Sequence, residues 1–202
     1  MDKMVRKATG FEIFNHWVLG ISCLLLALSG YAFLFHLEGI GGLFGGFETM
    51  RTIHNWLGVV FAVTLFLSMF FYLKEAISFD EDDKGWIRVL GGYLSKTVKV
   101  PPVGKLNAGQ KLFYLALLIL GAAISASGFV IWLMAGDRGW VLVSHFVHNV
   151  AFVLIMLAIP VHMYLGSLAN PGTFRIMVYG TVPLWWAKRK HPKWVRELET
   201  QK

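Results

Sequence analysis

Residues 139–174 read GWVLVSHFVHNVAFVLIMLAIPVHMYLGSLANPGTF, which is 36 consecutive residues without an Asp, Glu, Lys or Arg. About 20 apolar residues suffice to cross a bilayer as a helix. Three further runs have the same character: 25 residues between Glu12 and Glu38, 22 between Arg51 and Lys74, and 25 between Lys111 and Asp137. Charged residues are 15% of the 202-residue chain and hydrophobic ones 56%. A soluble domain carries about 25% charged residues. The composition therefore excludes a soluble globular domain, a disordered chain and a secreted disulfide scaffold, and the single Cys23 allows no internal disulfide. The runs are too long and too continuous for alternating barrel strands. The reading is an all-α integral membrane protein: one domain over 1–202, with spans at 14–35, 53–73, 112–134 and 141–165. The first run is long and ends in no clean small-residue cleavage site, so it reads as a retained span.

Lys and Arg set the direction. Of 19 cations, 17 lie before span one, between spans two and three, or after span four; only Arg51 and Arg138 lie in the other connections. Both termini, the loop 74–111 and the tail 170–202 are therefore expected on the cytoplasmic side. The net charge of +7 reads as topology rather than nucleic-acid binding. The tail segment Trp185, Trp186, Ala187, Lys188, Arg189, Lys190 suits an anionic leaflet surface, or is the ordinary positive-inside excess. In the loop, Asp80, Glu81, Asp82 and Asp83 precede Trp86, Ile87, Val89, Leu90, Tyr93 and Leu94. This pattern predicts a short interfacial amphipathic helix capped by Asp82 or Asp83 and closed off by Pro101 and Pro102. The glycine-rich stretch 39–46 predicts an irregular loop, and Asn170, Pro171 and Gly172 predict a helix stop followed by an interfacial tail.

Of seven histidines, His36 at a span end and His191 in the basic tail read as interfacial or solvated. An ionisable residue inside a span is a candidate functional group, because burying it unpaired is costly. The alternating span directions put His16 and His162 at one depth, and His54 with His148 or His145 at the other. His148 and His162 are 14 residues apart, about 21 Å of rise, and differ by only ~40° around the helix axis. His145 differs from His162 by ~100°. His148 is therefore the preferred partner of His54, with His145 as support or packing.

Two His pairs at two depths match bis-imidazole haem ligation between facing helices. Zinc needs four ligands converging on one point. A proton relay more often includes Asp or Glu, and these runs contain neither. Gly20, Gly58 and Gly166 follow His16, His54 and His162 at i+4, leaving room for a flat macrocycle or, alternatively, serving helix packing. Pro160, two residues before His162, frees a backbone carbonyl and bends the helix there. The reading is thus two haem b groups, with iron held by His16 and His162 and by His54 and His148. The chain has no cysteine cluster and no glycine fingerprint for a flavin or nicotinamide. The electron donor must lie on another chain, and a lipid-soluble quinone is the natural acceptor.

These residues resemble the gamma, or cytochrome b, subunit of membrane-bound formate dehydrogenases. The resemblance rests on Phe14, Asn15, His16 and Trp17, on Arg51, Thr52, Ile53 and His54, and on the segment Val103, Gly104, Lys105, Leu106, Asn107, Ala108, Gly109, Gln110, Lys111. It continues in His148, in His162, Met163 and Tyr164, and in Trp186, Ala187 and Lys188 with His191, Pro192, Lys193 and Trp194. It implies a heterotrimer with an iron–sulfur subunit and a molybdenum or tungsten catalytic subunit outside the cytoplasm. It also implies a multi-pass position in a bacterial inner membrane. Electrons would pass from the pair His54 and His148 to the pair His16 and His162, and on to menaquinone or ubiquinone. The resemblance places quinone beside His162, Asn107 and Gly109, with Gln110 adjacent; Asn107 reads alternatively as the cap of span three. Related cytochromes of nickel–iron hydrogenases and of thiosulfate or polysulfide reductases share the four-His order. A haem-free His-lined transporter is the reading from a different class.

Overall fold

A computed structural model describes residues 3–95 and 97–200. Four long helices carry the uncharged runs: α1 Gly10–Phe35, α3 Phe47–Ile77, α5 Ala108–Leu133 and α6 Arg138–Gly166. Each is long and apolar enough to cross a membrane. The protein is an all-α membrane bundle with short accessory elements. These are α2 Glu38–Leu43, α4 Glu81–Arg88, α7 Ile176–Tyr179, α8 Leu184–Lys190, α9 Pro192–Thr200, and strands β1 Met4–Arg6 and β2 Thr181–Pro183.

Reciprocal caps explain where three helices begin. The Thr9 hydroxyl accepts from Glu12 N–H at 3.2 Å while Thr9 N–H donates to Glu12 Oε2, starting α1. Asp80 and Asp83 exchange the same bonds at α4, and Asn107 and Gln110 at α5. Each pair satisfies backbone N–H groups that a first helical turn leaves orphaned. The α4 cap is therefore Asp80, with Asp83 its reciprocal partner; Asp82 takes no part. The expected amphipathic helix also ends earlier than its apolar pattern suggests. Leu90, Gly91 and Gly92 adopt positive φ after Arg88, which α-helix cannot continue through. The stretch 39–46 is not wholly irregular: it contains α2, where Gly41 lets the Phe47 ring approach to 3.2 Å from the position of a Cβ. Helix α6 runs through Pro160 without a break.

The chain divides into two compact units. The first comprises Met1–Ile13, Met69–Leu117 and Leu165–Lys202. Its core brings the two chain ends together: Ala8, Ile176, Val182, Trp186, Ala187, Trp194 and Val195 are buried against one another. Strand β1 pairs antiparallel with β2 in the register Met4↔Pro183, Val5↔Val182, Arg6↔Thr181. Part of the tail expected to lie on an interface is thus folded into a core. His191, expected to be solvated or interfacial, is 5% exposed. Its Nδ1–H donates to Gly104 O at 2.7 Å, and its Nε2 accepts from Lys7 Nζ at 2.7 Å. Lys7 is itself buried, over the rings of Trp186 and Trp194. Burial and the neighbouring Lys7 cation push the His191 imidazole down to about 3, and burial with Lys105 nearby holds the Lys7 ammonium well below its usual range. The basic tail hid this because its periodicity is short and its buried positions are interleaved with cations.

The second unit comprises Phe14–Ser68 and Leu118–Tyr164. Its interior holds small and hydroxyl side chains, among them Ser22, Ala27, Ser29, Ala32, Thr64, Ser127, Ser144 and Ala151, while Phe66 and Phe146 are exposed. That inversion of the soluble pattern suits helices that pack closely in lipid. A Cβ on Gly121 would stand 2.5 Å from Leu65, and one on Gly30 3.3 Å from Phe152. Asn15 donates to Thr64 O at 3.0 Å, joining α1 to α3.

Candidate functional site

The second unit contains all of His16, His54, His145, His148 and His162. Two pairs of imidazoles face one another there. The ring centres of His16 (α1) and His162 (α6) are 6.1 Å apart, with planes inclined by 43°. Those of His54 (α3) and His148 (α6) are 6.4 Å apart, inclined by 53°. His145, one turn from His148, is exposed on α6.

The separation within each pair is informative. A metal–imidazole nitrogen bond is about 2.0–2.1 Å, and the ring centre lies about 1 Å behind the nitrogen, so two imidazoles on opposite sides of one ion have centres about 6 Å apart. Both pairs match that figure. The rings of each pair are tilted to one another by 43° and 53°. The residues therefore fit a haem iron in each pair. Among the described residues no group of three or more His, Cys, Asp or Glu could hold a metal ion. Each layer thus offers two ligands, the number a haem iron lacks.

Hydrogen bonds fix which nitrogen is free in one pair. His148 Nδ1–H donates to Ile124 O at 3.0 Å, with Ser127 Oγ at 3.3 Å. A carbonyl only accepts, so the proton is on Nδ1 and the Nε2 lone pair is left for a metal. Ser29 Oγ gives its one proton to Leu25 O at 2.9 Å or Leu26 O at 3.1 Å. Ser29 Oγ also lies 2.7 Å from His54 Nδ1; in the tautomer protonated at Nδ1 its lone pair accepts that proton, leaving Nε2 of His54 free as well. Such outer hydrogen bonds orient metal-ligating histidines. In the other pair, the Nδ1 of His16 is buried without a hydrogen-bond partner among the described residues.

Sequence reasoning missed Ser29, Ser127 and the Ile124 carbonyl. The only available signal was a hydroxyl within an apolar span, which is common for helix packing. It also missed Gly128, where a Cβ would stand 3.2 Å from His148 Cε1, so that glycine admits the ring against α5. At Gly20, Gly58 and Gly166 an added Cβ would meet nothing within 4 Å; open space lies beside each.

The residues expected around quinone divide between the units: Asn107, Gly109 and Gln110 belong to the first and His162 to the second. Within the first unit, Asn107 Oδ1 accepts from Gln110 N–H at 2.8 Å, and Gln110 Oε1 accepts from Asn107 N–H at 2.9 Å. Asn107 therefore does cap α5, and its side-chain N–H groups and those of Gln110 are the donors left over. Gly109 is covered by Trp86 of α4, whose ring would stand 2.6 Å from a Cβ there. Beneath this lies a buried ion pair, Lys111 to Asp83 at 2.7 Å, with Lys111 also donating to Ser78 O at 2.7 Å. It ties the start of α5 to α4.

The chain is similar to known membrane cytochromes b. A family model described as prokaryotic cytochrome b561 matches residues 7–180. The chain is 30% identical over 207 residues to the cytochrome b556(Fdn) subunit of the nitrate-inducible formate dehydrogenase of Escherichia coli K12, covering 98% of this chain and 93% of that protein. It is 31% identical over 202 residues to the cytochrome b556(fdo) subunit of formate dehydrogenase from the same strain, covering 98% and 94%. It is 26% identical over 203 residues to the formate dehydrogenase cytochrome b556 subunit of Haemophilus influenzae, covering 96% and 83%.

Proposed function

The chain belongs to the prokaryotic cytochrome b561 family, and we propose that it is the dihaem cytochrome b subunit of a membrane-bound formate dehydrogenase, carrying electrons across a bacterial inner membrane to quinone. The observation that carries this reading is the pair of imidazole pairs, with ring centres 6.1 and 6.4 Å apart. His16 and His162 hold one haem b, and His54 and His148 hold the other. When bound, these groups supply one-electron transfer. The chain's own part is to hold four ligand nitrogens in place and to exclude water with apolar helices. For the outer pair, His54 and His148, Ser29 and the Ile124 carbonyl keep the protons on Nδ1.

The cation distribution supports an orientation with both termini cytoplasmic. His54 and His148 then lie toward the periplasm, where an iron–sulfur subunit of the same complex delivers electrons from a molybdenum or tungsten catalytic subunit that oxidises formate. His16 and His162 lie toward the cytoplasm, beside quinone. Asn107, Gly109 and Gln110 are the first unit's candidates for quinone, with the spare amide N–H groups of Asn107 and Gln110 to donate to a quinone carbonyl, and His162 is the second unit's candidate. Moving each electron against a potential of 100 mV costs about 2.3 kcal/mol, so inward electron transfer with cytoplasmic proton uptake stores energy.

A pyridine haemochrome assay on the purified complex tests the reading. About two b haems per chain are expected, and one each should be lost in His16→Ala and His54→Ala. A wild-type protein with no haem would overturn it, and would favour the His-lined transporter.

A further inference from the structure

The two histidine pairs are alike in spacing and unlike in what holds them. In the pair on α3 and α6, His148 Nδ1 has the Ile124 carbonyl at 3.0 Å, and His54 Nδ1 has Ser29 Oγ at 2.7 Å. Ser29 is 1% exposed, and its own proton is engaged by Leu25 O or Leu26 O. Both imidazoles thus have an oxygen acceptor at Nδ1, behind the Nε2 left for iron. In the pair on α1 and α6, His16 Nδ1 is buried with no hydrogen-bond partner among the described residues. The Trp17 ring stands perpendicular to it with centres 5.9 Å apart, and an aromatic face is at best a weak acceptor. At most one imidazole of this second pair is held as both of the first are. All of these residues lie in the second unit.

An acceptor on Nδ1–H leaves more electron density on Nε2 and makes the imidazole a more basic ligand. A more basic ligand stabilises Fe(III), with its extra positive charge, over Fe(II), and so lowers the reduction potential; hydrogen bonding behind an axial ligand is one of a protein's levers on haem. We propose that Ser29 and the Ile124 carbonyl, through His54 and His148, hold the outer haem at a lower reduction potential than the inner one, so that electrons run downhill from the outer pair to the inner. This rests on the dihaem reading above. The step takes one electron from outer Fe(II) to inner Fe(III); no bond breaks, and the Nδ1 protons stay in place. Fixed charges act in the same sense. The Asp, Glu, Lys and Arg residues of the second unit are Glu38, Glu48, Arg51, Asp137 and Arg138, all in the two connections at the end where His54 and His148 lie. Acids outnumber bases there, which also favours the oxidised outer iron, though weakly because these groups are exposed and screened.

Optical redox titration of the purified complex tests this. His16→Ala retains the outer haem and His54→Ala the inner one, so each variant reports one potential, with the other haem's charge missing from both. The haem kept in His16→Ala should titrate at the lower potential. Adding Ser29→Ala to that variant should raise it by about 59 mV, a ten-fold change in the equilibrium and the lower end of what loss of such a partner costs. In the His54→Ala background the same substitution should shift nothing. Ser29→Thr keeps the hydroxyl and should stay at the wild-type value. Ser29→Cys, a weaker acceptor, should fall between, and it serves if Ser29→Ala sheds haem before titration. With both haems present, Ser29→Ala should narrow the gap between the two waves. Equal potentials in the two single-haem variants, a higher one in His16→Ala, or no shift on losing the Ser29 hydroxyl overturns the proposal. A wild-type complex without haem would instead overturn the dihaem reading.

Discussion

Ser29→Ala is the sharpest probe of the outer histidine pair. Ser29 is 1% exposed, and its hydroxyl is the 2.7 Å partner of His54 Nδ1. Truncation removes the acceptor and leaves a buried N–H unsatisfied, at about 1–3 kcal/mol. The imidazole also loses what selects its tautomer, and loss of such a partner typically lowers metal affinity 10–100-fold. That range corresponds to about 1.4–2.8 kcal/mol, in line with the desolvation figure. Ser127→Ala supplies the contrast. Ser127 Oγ lies 3.3 Å from His148 Nδ1, but the Ile124 carbonyl lies closer, at 3.0 Å, and survives the substitution. The assay is haem dissociation from the purified complex to an excess of an apo-haem acceptor, resolved by the spectra of the two haems. Ser29→Ala should speed loss of one haem by one to two decades. Ser127→Ala should change it by less than about three-fold, because its partner retains a hydrogen bond. Equal effects from the two substitutions, or none from Ser29→Ala, would refute the tautomer reasoning.

Three other outcomes follow from the same geometry. His148→Ala should abolish one haem while His145→Ala keeps both, read by haemochrome content; the reverse would exchange the two roles. Gly109→Ala should destabilise: overpacking costs about 1–3 kcal/mol, while replacing a helical glycine returns about 0.5–1. Trp86 is also packed closely against Gly91, where a Cβ would stand 2.2 Å from its ring. The lowered thermal midpoint should recover in a Trp86→Ala background, and no recovery would remove the clash as its cause. The terminal core should loosen in acid. His191 titrates near 3 when folded against an ordinary value of 6.5, so the unfolded form binds the extra proton and stability falls as pH drops from about 6.5 toward 3. Hydrogen exchange at residues 182–195, corrected for intrinsic rates, should accelerate at pH 5 relative to pH 8 and lose that dependence in His191→Gln; identical protection at both values counts against it.

The four uncharged runs and their histidines were legible because lipid imposes a long-range constraint that appears locally. Every spanning residue must be apolar or paired, so the exceptions stand out. Helix periodicity alone chose His148 over His145 as the residue sharing a face with His162, since rotation about one helix depends only on residue number. The reciprocal caps at Thr9, Asp80 and Asn107 were partly legible, since they obey a fixed spacing. Asp80 was nevertheless overlooked in favour of its neighbours, because four consecutive acids offer several plausible caps.

What the sequence by itself determined was therefore the membrane class, the number of spans and the small set of ionisable groups within them. Tertiary structure alone decided the rest. It set the 6.1 and 6.4 Å separations at which the imidazoles of each pair face one another. It supplied Ser29 and the Ile124 carbonyl as the acceptors that fix proton positions. It turned His191 from a tail residue into a buried one by folding the two chain ends together. The physical reason is common to all three. Hydrophobic periodicity reports which environment a residue meets, whereas hydrogen bonds and ligand geometry depend on atoms brought together from distant parts of the chain.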